Sequence, residues 1–140
     1  MARSMFTAEV LTPEGEVFNE EVQMVSTRTE TGSIGILANH TPLLGMLSPS
    51  ELRLYRSETD IVSFAQGEGY VQVGDNHVLV LVEDAIAKDD LDVADLREKL
   101  GRAESEIGSA EAGSEALAAA RRAKRRWEAF LRVAEGTATA

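Results

Sequence analysis

The hydrophobic side chains of this chain change their spacing once, close to Lys88. Before that point they alternate with polar residues, as in Phe6, Ala8 and Val10, which is the period of a half-buried β-strand. After it they recur three and four residues apart, the period of a helix that buries one face. The sequence therefore predicts a β-rich part over residues 1–87, a helical part over residues 88–135, and an unstructured end over residues 136–140.

The β-rich part divides into short strands separated by turn residues. Proline, glycine, aspartate and asparagine favour turns because they tolerate or fix the required backbone angles, and they occur together at residues 12–15 and 74–76. The apolar run Val78–Val82 is interpreted as the most buried strand. Short strands at this spacing predict an antiparallel β-sandwich or a flattened barrel.

The helical part contains two apolar stripes joined by the glycine-containing segment 108–113. Because the connection is short, the two helices are expected to form an antiparallel hairpin. Asp89 or Asp90 is expected to cap the first helix, since a side-chain oxygen can satisfy a free amide at a helix start. The stripes consist of Val93, Leu96, Leu100, Ala103 and Ile107, and of Ala116, Ala120, Ala123, Trp127, Phe130 or Leu131, and Ala134. Small alanines bury little apolar area, which gives the hypothesis that the hairpin is not held firmly in one position.

Composition excludes several classes of function. The net charge of −10 argues against nucleic-acid partners, because neutralising phosphates needs a positive surface. No cysteine is present, and His40 and His77 sit in different segments and lack the His/Glu cluster that a catalytic metal needs. No phosphate-binding glycine loop occurs, and no apolar run approaches the ~20 residues needed to cross a bilayer. The sequence therefore predicts neither an enzyme, nor a cofactor, nor a metal site, nor direct insertion into a bilayer.

The second helix carries a dense basic strip. Five of the six residues from 121 to 126 are Lys or Arg, which exceeds what favourable charge at a helix C-terminus requires. The members are Arg121, Arg122, Lys124, Arg125 and Arg126. Two interpretations stay open at this point: a solvated helix face, or a docking strip for an acidic partner, which planar guanidinium groups can hold bidentately.

A glycine-rich and proline-containing stretch, Gly32–Leu47, has the character of a loop, a short strand and a bend. Gly32 and Gly35 suit backbone that takes positive φ or passes close to a neighbour, and Pro42 fixes its own φ. The apolar tail of the stretch is expected to return to the core; it consists of Leu43, Leu44, Met46 and Leu47.

The pattern G-x-x-G-I-L-x-x-H-x-P-L-L, which begins at Gly32, closely resembles the signature of the epsilon subunit of rotary ATP synthases. The order of a β-rich part and a two-helix tail extends the resemblance to essentially the whole chain. The resemblance implies a ten-stranded β-sandwich followed by a helical hairpin. It also implies a non-catalytic central-stalk subunit that binds the gamma subunit and the ring of c subunits, coupling ring rotation to ATP synthesis on the cytoplasmic side of the bacterial inner membrane.

The same resemblance assigns roles to particular residues. The loop of Glu30, Thr31, Gly32 and Ser33 corresponds by position to the ring-facing loop, although Ser33 stands where several members have an acidic residue. His40 falls where the family contacts gamma. In bacterial relatives the hairpin can extend along gamma and inhibit ATP hydrolysis, with its basic helix meeting an acidic loop of the beta subunit. Arg121, Arg122, Arg125 and Arg126 fit that role, which favours the docking interpretation of the strip.

Some relatives bind ATP on the folded hairpin through the motif Ile/Leu-Asp-x-x-Arg-Ala. Here the corresponding residues are 91–96. Asp92 matches the aspartate of the motif, but Asp95 stands in place of the arginine. A carboxylate at that position would repel phosphate unless Arg97 substitutes, so weak or no ATP binding is expected. The alternative to a stalk subunit is a freestanding β-sandwich adaptor whose hairpin mediates oligomerisation or binds an acidic protein.

Overall fold

The computed structural model describes residues 3–136, which fold into ten β-strands and two α-helices. The strands are β1 Phe6–Thr12, β2 Gly15–Val22, β3 Met24–Thr29, β4 Gly32–Leu37, β5 Leu43–Leu47, β6 Ser50–Tyr55, β7 Ile61–Gln66, β8 Gly69–Gly74, β9 His77–Val82 and β10 Ala85–Ala87. A 3₁₀ turn at Lys88–Asp90 leads to α1, Val93–Ser109, and α2, Glu115–Ala134. Of the predicted unstructured end, Gly136 forms part of a turn after α2, and residues 137–140 lie outside the described residues.

The strands form two layers that meet at one point. The order is β10-β7-β6-β3-β5-β8-β9-β1-β2, with β4 paired to β3. β3 meets β5 through the single pair of Thr29 and Leu47, so the chain folds over there and the inner faces of the two layers oppose one another. Neighbours pair antiparallel except β1 and β9, which run parallel. The predicted fold class, a β-sandwich followed by a helical hairpin, is confirmed.

The core lies between the layers and is built mainly from alternate residues of the longer strands. Val10, Val25, Leu52, Val71 and Val80 are all completely buried there. Strict alternation has a consequence in β9, where Val78, Val80 and Val82 are buried but Leu81 is exposed. The interpretation of Val78–Val82 as the most buried strand is wrong, because β6, in which every residue is buried or half-buried, is more buried. A strand in an antiparallel sandwich buries one face only, whatever the polarity of the other.

The Gly32–Leu47 stretch forms β4, a bend and β5. Gly32 has a φ of 138°, as its position in the tight β3–β4 turn requires, whereas Gly35 lies in regular strand opposite Ser26. The expectation that the whole apolar tail returns to the core is wrong. Leu47 is buried and Leu43 half-buried, while the two alternate residues, Leu44 and Met46, point outward and are exposed.

The helices begin at side-chain caps, but not at the predicted one. Asp92, rather than Asp89 or Asp90, caps α1 by accepting a hydrogen bond from the Asp95 N–H at 3.2 Å. Residues 88–90 instead form the 3₁₀ turn. Ser114 caps α2 by accepting from the Leu117 N–H at 3.1 Å. Both caps satisfy amides that have no partner within the helix.

The hairpin lies on the outer face of β6 and β7, with α2 in contact with both strands. Phe130, Leu131 and Val133 of α2 are buried there in a second apolar cluster that includes Ala65 of β7 and Leu96 of α1. Both candidates for the stripe position, Phe130 and Leu131, thus belong to the buried face. At the other end of α2, Ala116 is exposed, so the apolar contact is concentrated in the C-terminal half of the helix.

Candidate functional site

The outward side of β5, β8 and β9 carries a group of large exposed hydrophobic side chains, which we call the apolar face. Tyr70 lies opposite Met46 on one side and opposite Leu81 on the other, so these three side chains adjoin across three strands. They are 50%, 50% and 43% exposed, and Leu44, two residues from Met46 along β5, is 71% exposed. A contiguous apolar surface of this kind marks an interaction site.

The polar loop tip borders one end of the apolar face. Glu30 and Thr31 form the turn between β3 and β4, and the Glu30 N–H donates to the Met46 carbonyl at 3.1 Å. Thr29 braces the turn, because its hydroxyl lies 3.0 Å from the Gly32 carbonyl and accepts from the Thr31 N–H at 3.3 Å. The carboxylate of Glu30 is left in solvent. The predicted ring-facing residues therefore form one rigid hairpin tip joined to β5.

His40 lies at the opposite end of β5 from that tip. Its backbone N–H donates to Leu37 at 3.2 Å, and Nδ1 lies 2.7 Å from the Thr41 carbonyl oxygen. The preceding residue, Asn39, has a φ of 64° and donates its N–H to the Asn76 side chain at 2.8 Å. The structure thus holds His40 in a braced bend at one end of the strand and the loop tip at the other.

The basic strip is divided between solvent and the chain's own acidic residues. Arg122 lies 3.6 Å from Glu115 within α2. Arg125 reaches Glu68 at 3.9 Å, and Arg126 reaches Glu83 at 3.3 Å. Arg121, by contrast, is exposed and forms no ion pair within residues 3–136.

The acids that meet Arg125 and Arg126 come from two loops at the edge of the sandwich. We call Glu68, Glu83 and Asp84 the acidic rim; they lie between β7 and β8 and between β9 and β10. Arg126 also lies 3.9 Å from Asp84. Burial raises the pKa of Asp84, although the charge of Arg126 acts in the opposite direction. Sequence reasoning did not find the rim, because nothing local indicates that residues 68 and 83 meet residues 125 and 126.

Comparison with known proteins identifies the family. A family model described as ATP synthase, Delta/Epsilon chain, beta-sandwich domain matches residues 5–88. The ATP synthase epsilon chain of Persephonella marina is 36% identical over 131 residues, which cover 93% of this chain and 96% of that protein. The chain belongs to the ATP synthase delta/epsilon family.

Another relative and two solved structures are also similar to this chain. ATP synthase epsilon chain 2 of Syntrophotalea carbinolica is 40% identical over 99 residues, 71% of each chain. A subunit of the Euglena gracilis mitochondrial ATP synthase shares the fold with a TM-score of 0.79 at 19% identity, covering 90% of this chain and 79% of that one. A chain of the Tetrahymena thermophila mitochondrial ATP synthase central stalk and c-ring gives a TM-score of 0.60 at 20% identity, covering 96% and 99%. Membership of this family favours the stalk subunit over the freestanding adaptor.

The residues that correspond to the family's ATP motif have other partners here. Asp92 caps α1, and Asp95 lies 3.0 Å from Lys99 in an i, i+4 pair. Arg97 is largely exposed and lies 3.5 Å from Glu135 at the end of α2. Both Asp92 and Arg97 are therefore engaged by contacts within the helical hairpin.

Residues 3–136 lack two further features. Within residues 3–136, neither helix combines the length and the hydropathy needed to span a bilayer. The same residues bring together no cluster of three or more histidine or acidic side chains able to hold a metal ion. His77 instead pairs with Glu9, Nε2 to Oε1 at 2.8 Å, across the parallel β1–β9 ladder.

Proposed function

We propose that this chain is a non-catalytic central-stalk subunit of a bacterial rotary ATP synthase, coupling rotation of the c-subunit ring to ATP synthesis through the gamma subunit. One observation carries the proposal: a sandwich of this family leaves an apolar face uncovered on β5, β8 and β9. Burying such a face stabilises a complex by about 25 cal/mol per Å² of apolar area, before the costs of association. The curated relatives named ATP synthase epsilon chain support the same assignment.

The two partners are assigned by surface chemistry. A large apolar face suits a partner that stays bound, so gamma is assigned to Leu44, Met46 and Tyr70, with His40 at the border. The loop of Glu30, Thr31, Gly32 and Ser33 is polar and rigid, which suits the polar loops of a c-subunit ring. The complex would hold the chain peripherally on the cytoplasmic side of the inner membrane.

We assign the hairpin an inhibitory role in ATP hydrolysis, exerted when it leaves the sandwich. Arg121, Arg122, Arg125 and Arg126 would then meet an acidic loop of the beta subunit through charge-assisted hydrogen bonds. The test compares hydrolysis by the assembled complex with the intact chain and with a chain truncated after Ala87. A rise in hydrolysis on truncation supports the role, and unchanged hydrolysis in a fully assembled complex contradicts it.

ATP is not assigned to the hairpin. Asp92 is engaged as a helix cap, and Asp95, paired with Lys99, places a carboxylate at the position that the motif gives to arginine. Isothermal titration of the isolated chain with MgATP is expected to give no saturable heat. Tight, saturable binding would overturn this assignment without affecting the stalk assignment.

The stalk assignment is tested by its apolar face. Leu44→Asp places a charge in the proposed gamma contact, and we expect it to weaken binding of purified gamma by more than tenfold, since an unpaired buried charge is strongly unfavourable. Ile61→Asp is the matched control, because Ile61 is also an exposed large hydrophobic residue, at 41%, but belongs to β7 in the other layer. Equal binding by both folded variants would contradict the assignment.

A further inference from the structure

The edge of the sandwich and helix α2 meet through charged side chains, at the side of the apolar cluster described above. Arg126 is only 28% exposed, and its guanidinium contacts Glu83 at 3.3 Å and Asp84 at 3.9 Å. One turn of helix away, Ala123 and Arg122 line the same small cleft together with Glu68. Arg125 completes the contact by reaching Glu68 at 3.9 Å. The contact therefore joins two loops of the sandwich to one face of the hairpin.

The acidic rim is held in place by the sandwich itself. The Glu68 N–H donates to Glu83 Oε1 at 3.2 Å, and the same oxygen faces Arg126. Backbone hydrogen bonds from Gly67 to Asp84 at 2.9 Å and from Glu83 to Glu68 at 3.0 Å tie the two loops together. A side chain on Gly67 would meet those of Glu83 and Asp84, so glycine leaves the space that they occupy. The rim thus faces the arginines without help from the hairpin.

The Trp127 ring contacts one cation from each helix, Arg126 of α2 and Lys99 of α1. The Arg126 guanidinium lies 4.1 Å from the centre of the indole ring, and the Lys99 ammonium of α1 lies 4.8 Å from it. Phe130 meets the ring edge-on, with the ring centres 5.7 Å apart. Cation–π contacts of this kind are weakly attractive and orient the cation. The arginine that faces the rim is therefore oriented by the packing between α1 and α2.

Two polar atoms in this ionic contact lack hydrogen-bond partners, which limits the strength of the contact. Arg126 Nε and Asp84 Oδ1 are both buried without a hydrogen-bond partner among the described residues. Removing such atoms from water is unfavourable, and this offsets part of the attraction between the ions. A contact of this kind favours one arrangement of the hairpin without making it permanent.

We propose that Arg125 and Arg126 form a releasable ionic latch with Glu83 and Glu68, which holds the helical hairpin against the sandwich. While the latch is closed, these two arginines are occupied within the chain. When it opens, they become free for an acidic surface elsewhere. The regulatory consequence, competition between the rim and the beta subunit, rests on the proposed function; the latch itself is a property of the isolated chain.

Hydrogen exchange of the isolated full chain tests the latch, because exchange of α2 amides reports how often the hairpin opens. Glu83→Gln keeps an oxygen that can accept from the Glu68 N–H but removes the charge that faces Arg126. We expect Glu83→Gln and Arg126→Gln each to speed α2 exchange roughly fivefold, the effect of about 1 kcal/mol. The double variant is expected to exchange no faster than Arg126→Gln alone, because that variant already removes the contact with Glu83.

The controls separate the latch from general effects of charge and folding. Arg121→Gln removes a positive charge from the same helix, and Glu58→Gln removes a negative charge from the exposed β6–β7 turn; neither residue forms an ion pair within residues 3–136. Both are expected to leave α2 exchange unchanged. Exchange of the β8 and β9 amides verifies that the sandwich stays folded in every variant. If Glu83→Gln and Arg126→Gln exchange like their controls, or if their effects simply add, the latch is overturned.

A second experiment distinguishes failure of the latch from failure of the proposed inhibition. In the assembled complex, Glu83→Gln opens the latch but leaves every arginine of the basic strip in place, so ATP hydrolysis should fall. Arg126→Gln opens the latch but also removes one docking charge, so hydrolysis should fall less. Faster α2 exchange with unchanged hydrolysis would keep the latch and reject the inhibitory role. Unchanged exchange would reject the latch whatever the hydrolysis rate.

Discussion

The two outer faces of the sandwich differ in polarity, and the hairpin covers the more polar of the two. The face of β6 and β7 is covered by the hairpin, yet it presents Glu51, Arg53, Ser63 and Ala65, which share one side of the β6–β7 ladder. The face of β5, β8 and β9 is bare, yet it presents large hydrophobic side chains. Polar and small residues lie under the chain's own helix, and the hydrophobic ones face outward.

The difference indicates which contact is permanent. Exposing an apolar face to water is unfavourable, so the bare face requires a partner from outside the chain. Exposing the polar residues of the covered face costs little, because Glu51, which is buried at 2% exposure beside Arg53 at 2.9 Å, would regain water if the hairpin moved away. The unfavourable part of opening is exposure of the apolar cluster around Phe130. The covered face is thus suited to a cover that can leave, as the proposed latch requires.

The largest expected effect tests how strongly the apolar cluster holds the hairpin on the sandwich. Phe130→Ala removes a completely buried side chain from the cluster between the hairpin and β7, and we expect it to destabilise the hairpin by about 3–5 kcal/mol. Tyr70→Ala on the bare face should change the free energy of unfolding by less than about 1 kcal/mol. Urea denaturation followed by circular dichroism measures both. Equal losses of unfolding free energy in the two variants would contradict the distinction between the covered face and the bare face.

An intermediate effect is expected at the rim. Gly67→Ala adds a β carbon that meets the side chains of Glu83 and Asp84, and it should cost about 1–3 kcal/mol through displacement of these acids. Gly35→Ala in β4 is the matched control, because a β carbon there meets nothing within 4 Å. Thermal unfolding should therefore separate the two variants, and the first should also show faster exchange of α2. A harmless Gly67→Ala would show that the rim does not need its observed geometry.

The smallest expected effect is the pH dependence of stability that Asp84 of the acidic rim causes. Burial raises the pKa of Asp84, with Arg126 and Lys99 opposing the shift and Glu83 and Glu14 reinforcing it. A group whose folded-state pKa is raised contributes its stability at low pH and loses it as pH rises through that pKa. The ionised carboxylate therefore costs stability at neutral pH, and Asp84→Asn should be slightly more stable than the wild type at pH 7.

The sign can be checked by denaturant unfolding of both proteins over the range from about pH 4 to pH 7. The advantage of Asp84→Asn should shrink as pH falls, because the wild-type carboxyl becomes neutral as well. An advantage that grows toward low pH would contradict the assigned direction. Glu83→Gln, in contrast, is expected to weaken docking at pH 7, which distinguishes the acid that holds the latch from the acid that limits it.

The sequence by itself determined the kind and the order of the elements. Alternation at Phe6, Ala8 and Val10 and the later helical spacing from Val93 depend only on neighbours within a few residues, and these patterns correctly predicted a β-part followed by two helices. The Gly32–Leu47 stretch also sufficed for the family, because its short pattern is specific. Local chemistry predicts such features because turn angles and side-chain periodicity are properties of short segments.

The tertiary structure decided what those segments face. Leu44 and Met46 are as hydrophobic as Leu47, and only the register of β5 against β8 turns them outward. The choice of Asp92 as a cap followed from where the 3₁₀ turn after β10 ends. The partners of Arg125 and Arg126 lie more than forty residues away in sequence. Contacts of that separation depend on the packing of whole layers, which no local pattern records.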